Sequence, residues 1–180
     1  NLGKVAPDWT MGISNTLRYR NLSLSFLIDV RYGGVMYSGT VSDLRVNGMA
    51  EETIGKNRTD IVDKGVKQDG TENTTAITPY QFWSNNYSSK VSEANVFDAT
   101  FVKLREMVLS YQMPQRWFKN CFIGSLALGV EGRNLWLMKS NVPHIDPETN
   151  IFGPSAVGSG VEYSAIPTTR SWGFNIKLTF

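Results

Sequence analysis

Residues 170–180, Arg-Ser-Trp-Gly-Phe-Asn-Ile-Lys-Leu-Thr-Phe, decide the fold of this chain. Every second residue from Trp172 to Phe180 is apolar, and the residues between them are small or polar. Because alternate side chains of a β-strand point to opposite faces, this segment predicts a strand with one apolar and one polar face. Soluble proteins protect such edge strands with charge or proline. The pattern therefore favours a strand whose apolar face meets lipid, as in a transmembrane β-barrel.

The same alternation at the start of the chain predicts a β-hairpin. Apolar residues fall on the odd positions of 9–20, interrupted only by Asn15, and on the even positions of 21–32. A two-residue turn at Arg20-Asn21 accounts for this change of phase. The cross-strand pairs that follow are Tyr19 with Leu22, Leu17 with Leu24, and Ile13 with Ile28. Turn, register and pattern therefore agree on one apolar face.

Three further strands are predicted at about 97–112, 121–134 and 169–180. In the first of these the apolar phase changes between Leu104 and Met107, which predicts a β-bulge near Arg105-Glu106. The predicted fold class is all-β, with five antiparallel strands of the length that a tilted barrel strand needs.

The connections between the predicted strands alternate between short and long. Outer-membrane barrels have short periplasmic turns and long extracellular loops. We therefore expect 33–96 and 135–168 to be extracellular loops and the C-terminus to be periplasmic. Five strands cannot close a barrel, since open edges in lipid leave backbone groups unpaired. The chain is therefore expected to be the C-terminal part of a longer polypeptide or one chain of a split barrel.

The composition of the 180 residues excludes several other classes of protein. The formal net charge is only +2, which gives no electrostatic case for nucleic acid. No apolar run approaches the roughly 20 residues of a membrane-spanning helix. The single cysteine, Cys121, excludes an internal disulfide and a multi-cysteine metal site. The N-terminus has no signal-peptide pattern, so an exported protein would lack its own beginning in this chain.

Candidate binding residues occur in the first long loop. Tyr80, Phe82, Trp83 and Tyr87 are interleaved with amides, a composition suited to stacking on sugar rings or gripping peptides. The alternative is that these aromatic residues pack the loop against its neighbours or against a lid protein.

Charged residues of the predicted strands form a second candidate set. They are expected to line the lumen wall or its rim and to pair with one another or with a plug, direct contact with substrate being the alternative. These residues are Asp29, Arg31, Lys103, Arg105, Glu131 and Arg133.

No catalytic constellation stands out, so we predict neither an enzyme nor a cofactor. His144, Asp146 and Glu148 lie two residues apart and could be drawn as metal ligands. Asp-Pro is ordinary turn chemistry, however, and a loop-structural role is the favoured interpretation. We therefore predict no metal site.

Several motifs resemble those of one family. Residues 97–114 resemble the "DxSYVKLRExSLSYxLP" segment of SusC/RagA-type TonB-dependent outer-membrane transporters, with Phe101 in place of the usual tyrosine and Met113 in place of leucine. Further motifs of the family stand around this segment in the expected order, at residues 31–38, 132–135, 146–148 and 167–172. The resemblance covers essentially the whole chain.

The resemblance implies a 22-stranded barrel in the outer membrane of a Gram-negative bacterium, of which this chain would form the last five strands. Such transporters import large oligosaccharides or peptides with energy delivered by TonB, and a SusD-like surface lipoprotein caps them. The plug and the segment that contacts TonB are expected to lie outside this chain. The partners implied are thus the rest of the barrel and plug, the lipoprotein, TonB and the lipid bilayer.

The last strand also resembles the recognition signal for the machinery that assembles outer-membrane barrels. Trp172, Phe174 and the closing Phe180 are the residues that carry this signal. A soluble all-β carbohydrate-binding or surface-adhesion module is the alternative function, and an enzyme domain is a third and weaker one.

Overall fold

The computed structural model describes residues 1–55, 59–118, 122–153 and 159–180. Within these residues there are ten strands, two α-helices and three short 3-10 helices. The strands are β1 (Trp9–Tyr19), β2 (Leu22–Tyr32), β3 (Val35–Ser38), β4 (Ile61–Val62), β5 (Ala76–Ile77), β6 (Val96–Asp98), β7 (Phe101–Gln112), β8 (Ser125–Ser140), β9 (Val161–Glu162) and β10 (Ser171–Thr179). The α-helices are α1 (Gly39–Val46) and α2 (Pro79–Tyr87), and the 3-10 helices are Glu51–Thr53, Ser92–Asn95 and Gln115–Trp117.

The chain divides into two compact units, which we call the sheet unit and the insert unit. The sheet unit comprises Pro7–Gly33, Ala99–Asn141 and Thr168–Phe180. The insert unit comprises Asn1–Ala6, Gly34–Asp98 and Val142–Pro167. No helix among the described residues is long and apolar enough to cross a membrane.

The sheet unit is a five-stranded antiparallel sheet with the strand order β1-β2-β7-β8-β10. The hairpin register predicted from the sequence is confirmed, because Tyr19 pairs with Leu22, Leu17 with Leu24, and Ile13 with Ile28. The described part of the sheet is open, with β1 and β10 as its edges.

The predicted β-bulge is also confirmed, and its extra residue is Arg105. On β2 the consecutive residues Leu27 and Ile28 pair with Glu106 and Leu104 of β7, so Arg105 has no partner in this register. Towards β8 the register also shifts between Leu104 and Glu106, but there the extra residue is on β8, because Asn134 and Leu135 both lie opposite Arg105. One extra residue brings Val102 and Leu104 onto the same face as Met107, Leu109 and Tyr111.

Two strand boundaries differ from the expectation. The segment predicted as 97–112 is two strands, since β6 pairs with β3 in another sheet and only β7 joins the main sheet. The strand predicted at 121–134 lies at Ser125–Ser140, so 135–140 belong to a strand and not to a loop. Asn134, at the register shift, has a left-handed backbone with φ of 51°, and pairing resumes beyond it. Cys121 lies outside the described residues.

One face of the sheet is apolar across all five strands. A row along the register shows this, because Leu17 pairs with Leu24, Leu24 with Leu109, Leu109 with Val130, and Val130 with Phe174. These side chains are open to the surroundings, and Phe174 is 86% exposed. A broad exposed apolar surface of this kind marks an interface with a partner or a membrane.

The insert unit has its own small core. Strand β3 pairs antiparallel with β6 and parallel with β9, and helix α1 begins directly after β3. Ser38 caps α1 by accepting a hydrogen bond from the Val41 amide at 3.1 Å, which satisfies a free donor of the first turn. The same Ser38 hydroxyl donates to the Glu162 carboxylate at 2.6 Å. Glu162 is only 1% exposed and also accepts from the Thr40 hydroxyl at 2.6 Å.

A buried arginine joins the helices and loops of the insert unit. The guanidinium of Arg45 pairs with Glu52 and donates to the Ala94 carbonyl at 2.7 Å. Its carbon centre lies 5.0 Å from the ring of Tyr87 and 5.2 Å from the ring of Phe97. Arg45 therefore meets both charge and aromatic surface, as a buried guanidinium requires.

Candidate functional site

The polar face of the sheet unit carries charged side chains that the sequence scatters over three strands. Asp29 on β2 pairs in register with Lys103 on β7, and Glu106 on β7 pairs with Arg133 on β8. Alternation along the strands places Arg31 beside Asp29 on this face, and Glu131 beside Arg133. These charged side chains therefore share one face of the sheet.

Arg105, at the bulge, connects two of the strands. Its Nη2 donates to Oδ2 of Asp29 at 2.5 Å, and its Nη1 donates to Oδ1 of Asn134 at 3.1 Å. Asn134 in turn donates from Nδ2 to the carbonyl of Thr169 at 3.1 Å. The chain of contacts runs from β2 through β7 and β8 to the approach of β10. Charged hydrogen bonds of this length are stronger than neutral ones and hold the side chains in defined positions.

Arg133 makes longer and more exposed contacts than Arg105. Its Nε lies 3.9 Å from Oε2 of Glu106, and its Nη2 lies 4.0 Å from Oε1 of Glu131. The arginine side chain is 60% exposed, so these ion pairs are screened by solvent. Arg133 is thus available to other partners at little free-energy cost.

Lys103 is buried, with 3% of its surface exposed. Its Nζ donates to the Thr168 hydroxyl at 3.2 Å and lies 6.0 Å from the ring of Phe101. Lys103 therefore has little surface open to a ligand.

The four aromatic residues predicted to bind substrate lie on or at the start of α2, and the structure separates their roles. Thr78 and Gln81 form a capping box around Pro79, which fixes the start of the helix. Trp83 is 4% exposed, and its ring centroid lies 4.8 Å from that of Tyr87 and 5.3 Å from that of Phe82. Tyr80 is 64% exposed.

Trp83 is therefore part of the core of the insert unit, where it cannot stack on a ligand at the surface. Tyr87 is half-buried and its ring is covered by Arg45. Tyr80 has open surface, and so in part do the half-buried Phe82 and Tyr87, although Arg45 lies over the ring of Tyr87. The sequence could not separate them, because all four share one short helix with no clear apolar period.

The three residues of the barrel-assembly pattern lie on or next to β10. Trp172 and Phe174 lie on the apolar face, and the Phe180 ring stacks on Phe122 with centroids 5.6 Å apart. At the opposite end of the sheet, Trp9 stacks on Tyr32 at 5.2 Å. Aromatic pairs therefore occur at both ends of the strands.

The contacts of His144 and Asp146 are those of loop structure. The Asp146 carboxylate accepts the amide of Glu148 at 3.2 Å, which is the hydrogen bond of an Asx turn. His144 accepts the Glu51 amide on Nε2 at 3.4 Å. Among the described residues no cluster of three His, Cys, Asp or Glu side chains has the spacing of a metal site.

Two curated relatives from Formosa agariphila are similar to nearly the whole chain. The chain is 25% identical to TonB-dependent receptor P3 over 183 aligned residues, and 26% identical to TonB-dependent receptor P26 over 182 aligned residues. Each alignment covers 99% of this chain but only 17% and 18% of the respective relative. The chain thus spans less than a fifth of the length of these receptors. No family model matches it.

A solved structure has the same fold. The RagAB peptide importer in its open-open state matches 99% of this chain with a TM-score of 0.67 and 20% identity, and the match covers 18% of the importer chain. The closed-closed state matches with a TM-score of 0.61. The resemblance to TonB-dependent receptors stated from the sequence motifs is confirmed by these relatives.

Proposed function

We propose that this chain, a homologue of TonB-dependent receptors, forms the last five strands of a 22-stranded outer-membrane barrel that imports nutrients. The observation that carries this proposal is the sheet with one continuous, exposed apolar face and one polar face with a charged network. The apolar face is suited to contact with lipid, and the polar face is suited to a water-filled lumen. The open edges at β1 and β10 are where the remaining strands of the barrel would pair.

On this proposal the insert unit is extracellular, and the turn between β1 and β2 and the C-terminus are periplasmic. Asp29, Arg31, Arg105, Glu131 and Arg133 line the lumen. The Asp29–Arg105–Asn134 contacts support a fixed wall, and the exposed Arg133 is the member with freedom to meet a plug or a passing cargo.

The cargo we propose is a large peptide or oligosaccharide, captured with a SusD-like lipoprotein lid and driven inward through TonB. Support comes from the RagAB peptide importer, whose fold this chain shares. Tyr80 and Phe82 are the proposed cargo-binding residues, since they have open aromatic surface on α2. Trp83 supports them from the core, and the half-buried Tyr87 packs beside Trp83. Contact of the same aromatic surface with the lipoprotein is the alternative.

The orientation is tested by cysteine labelling of the full-length protein in cells, in a Cys121→Ser background. Tyr80→Cys is expected to react with a membrane-impermeant maleimide on intact cells. Asn21→Cys, at the β1–β2 turn, is expected to react only after the outer membrane is permeabilised. Labelling in the reverse order would overturn the proposed orientation.

The membrane assignment has its own measurement, the intact mass and the partners of the protein extracted from membranes. A polypeptide several times longer than this chain, with a lipoprotein attached, is the expected result. A protein of 180 residues in the soluble fraction would contradict the barrel and favour a soluble carbohydrate-binding or adhesion module.

A further inference from the structure

A depression of about 430 Å³ lies on the polar face of the sheet unit, at the end that carries the β1–β2 turn. Arg18, Arg20 and Lys177 contribute its three cations, and Ser23, Ser110 and Gln112 contribute neutral polar groups. Neither the charged network around Arg105 nor the aromatic residues of α2 belong to it. Its role is therefore not explained by the site described above.

The strand register creates the space in this depression. Arg18 pairs with Ser23, and Ser23 pairs with Ser110. From the other edge, Lys177 pairs with Ala127, and Ala127 pairs with Gln112. Arg18 and Lys177 thus stand on the two edge strands, and Arg20 follows β1 in the turn. Small side chains on the strands between them leave the floor open.

The positive charge here is not balanced within the described part of the chain. Arg18, Arg20 and Lys177 form no ion pair with any carboxylate of the described residues. On β8 the nearest acid of this face is Glu131, four residues beyond Ala127 and hence about 13 Å away at 3.3 Å per residue. This exceeds the screening length of about 8 Å in physiological salt. Further along the same face, Arg105 and Arg133 do have carboxylate partners.

The spacing of the cations selects the kind of ligand. Arg18 on β1 and Lys177 on β10 are four strand spacings apart, or about 19 Å at 4.8 Å per strand. A single small anion cannot reach both. An extended polypeptide of about six residues spans this distance, with a carboxylate near each end and backbone groups over the serine hydroxyls and Gln112.

The face on which Arg18 and Lys177 lie decides against a lipid headgroup as the ligand of these two cations. Arg18 alternates with Leu17 and Tyr19, whose side chains point to the apolar face. Lys177 alternates in the same way with Ile176 and Leu178. A lipid that covers the apolar face would have its phosphate on the wrong side of the sheet for these two cations.

We propose that this depression is a docking site for an extended acidic segment of the longer polypeptide to which this chain belongs. The inference rests on the proposed function, in which this face lines the lumen. More than four-fifths of the length of the matched receptors lies outside the region that this chain covers. A segment tethered in the same molecule is present at high effective concentration and binds through two ordinary charge contacts.

Photo-crosslinking in the full-length protein tests this assignment. A benzoylphenylalanine at position 110, and in a second variant at position 23, stands on the floor between the cations. After irradiation of cells and digestion, mass spectrometry is expected to find an adduct with one segment that carries at least two Asp or Glu residues within about six positions. The adduct yield is expected to fall as the salt concentration of isolated membranes is raised.

Charge variants provide the control. Arg18→Gln with Lys177→Gln is expected to lower the yield at least five-fold. Arg116→Gln with Lys139→Gln removes the same charge outside the depression and is expected to leave the yield within two-fold. An adduct without paired acids, an adduct with lipid alone, an equal yield in both double variants, or no adduct at either position would overturn the inference.

The same samples also test the proposed function independently of the docking site. Each protein is checked for outer-membrane fractionation and for the heat-dependent gel mobility of a folded barrel. A membrane-inserted protein without the acidic adduct contradicts the docking site alone. A soluble protein contradicts the barrel itself.

Discussion

Arg105 and Asp29 are joined by a hydrogen bond of 2.5 Å, although 75 residues separate them in the sequence. The bulge at Arg105 makes this contact possible, because the extra residue does not take part in the alternation of β7. The bulge keeps the apolar residues of β7 on one face and places a guanidinium on the other. One extra residue in β7 thus determines which side chains lie on each face of the sheet.

The first prediction concerns this pair. Arg105→Gln is expected to lower the free energy of unfolding by about 1 kcal/mol, because a charged hydrogen bond is lost at a partly exposed site. Urea titration of the refolded full-length protein in lipid vesicles measures the change. Arg133→Gln is the matched control, since its contacts of 3.9 and 4.0 Å are solvent-screened. An equal loss in both variants would show that the bulge contact has no special role.

The second prediction separates the two faces of β10. Phe174→Lys puts a charge on the apolar face and is expected to cost about 2–4 kcal/mol if that face meets lipid. Asn175→Lys puts the same charge on the polar face one residue away and is expected to be tolerated. The amount of folded protein in the outer membrane measures both. Equal membrane levels of the two variants would contradict a lipid-facing surface.

The third prediction concerns a glycine in the insert unit. Gly34 has φ of +82°, and an added Cβ would lie 2.7 Å from the carbonyl oxygen of Val5. Gly34→Ala is therefore expected to cost at least about 2 kcal/mol, from left-handed strain and from the clash with backbone. The adjacent hydrogen bond from the Val35 amide to the Lys4 carbonyl, 2.9 Å long, would be disturbed.

Hydrogen–deuterium exchange of the peptide that contains Val35 measures this effect. Gly70→Ala is the control, because Gly70 has φ of +81° but open space where the Cβ would lie. It is expected to cost only about 1 kcal/mol, from the backbone strain alone. If the two variants exchange alike, steric contact with Val5 is not what requires glycine at position 34.

The fourth prediction concerns the buried carboxylate. Glu162 accepts hydrogen bonds from the Ser38 and Thr40 hydroxyls and from the Ala165 amide, so its two oxygens meet three donors. Glu162→Gln turns one acceptor into a donor and is expected to cost about 1–3 kcal/mol. Faster limited proteolysis of the insert unit should report the loss. Glu72→Gln, at an exposed position, should leave the proteolysis rate unchanged.

The sheet unit could be predicted largely from the sequence because its residues alternate with a period of two. That period determined which residues of 9–32 face each other, and the break between Leu104 and Met107 located the bulge. Strand ends were less certain, because the irregularity at Asn134 interrupts β8 where the turn-like residues Gly132 and Asn134 suggest a stop. Pairing with β7 beyond this point carries the strand on to Ser140.

The insert unit could not be predicted in the same way. Its core includes Arg45, Glu162 and Asn95, which are polar residues buried by specific partners and not by an apolar period. These partners lie far apart in the sequence, as Ser38 and Glu162 illustrate. The aromatic residues of α2 were identified as a group, but only the structure separates the buried Trp83 from the exposed Tyr80.

The open edges at β1 and β10 have a practical consequence for anyone who prepares this protein. Produced alone, the 180 residues would have unpaired backbone amides and carbonyls along two edge strands and an exposed apolar face. We therefore expect the isolated chain to accumulate in inclusion bodies. If the proposed barrel is correct, the chain refolded together with the remaining strands is expected to close the barrel at both edges. A gain of resistance to detergent would measure this closure.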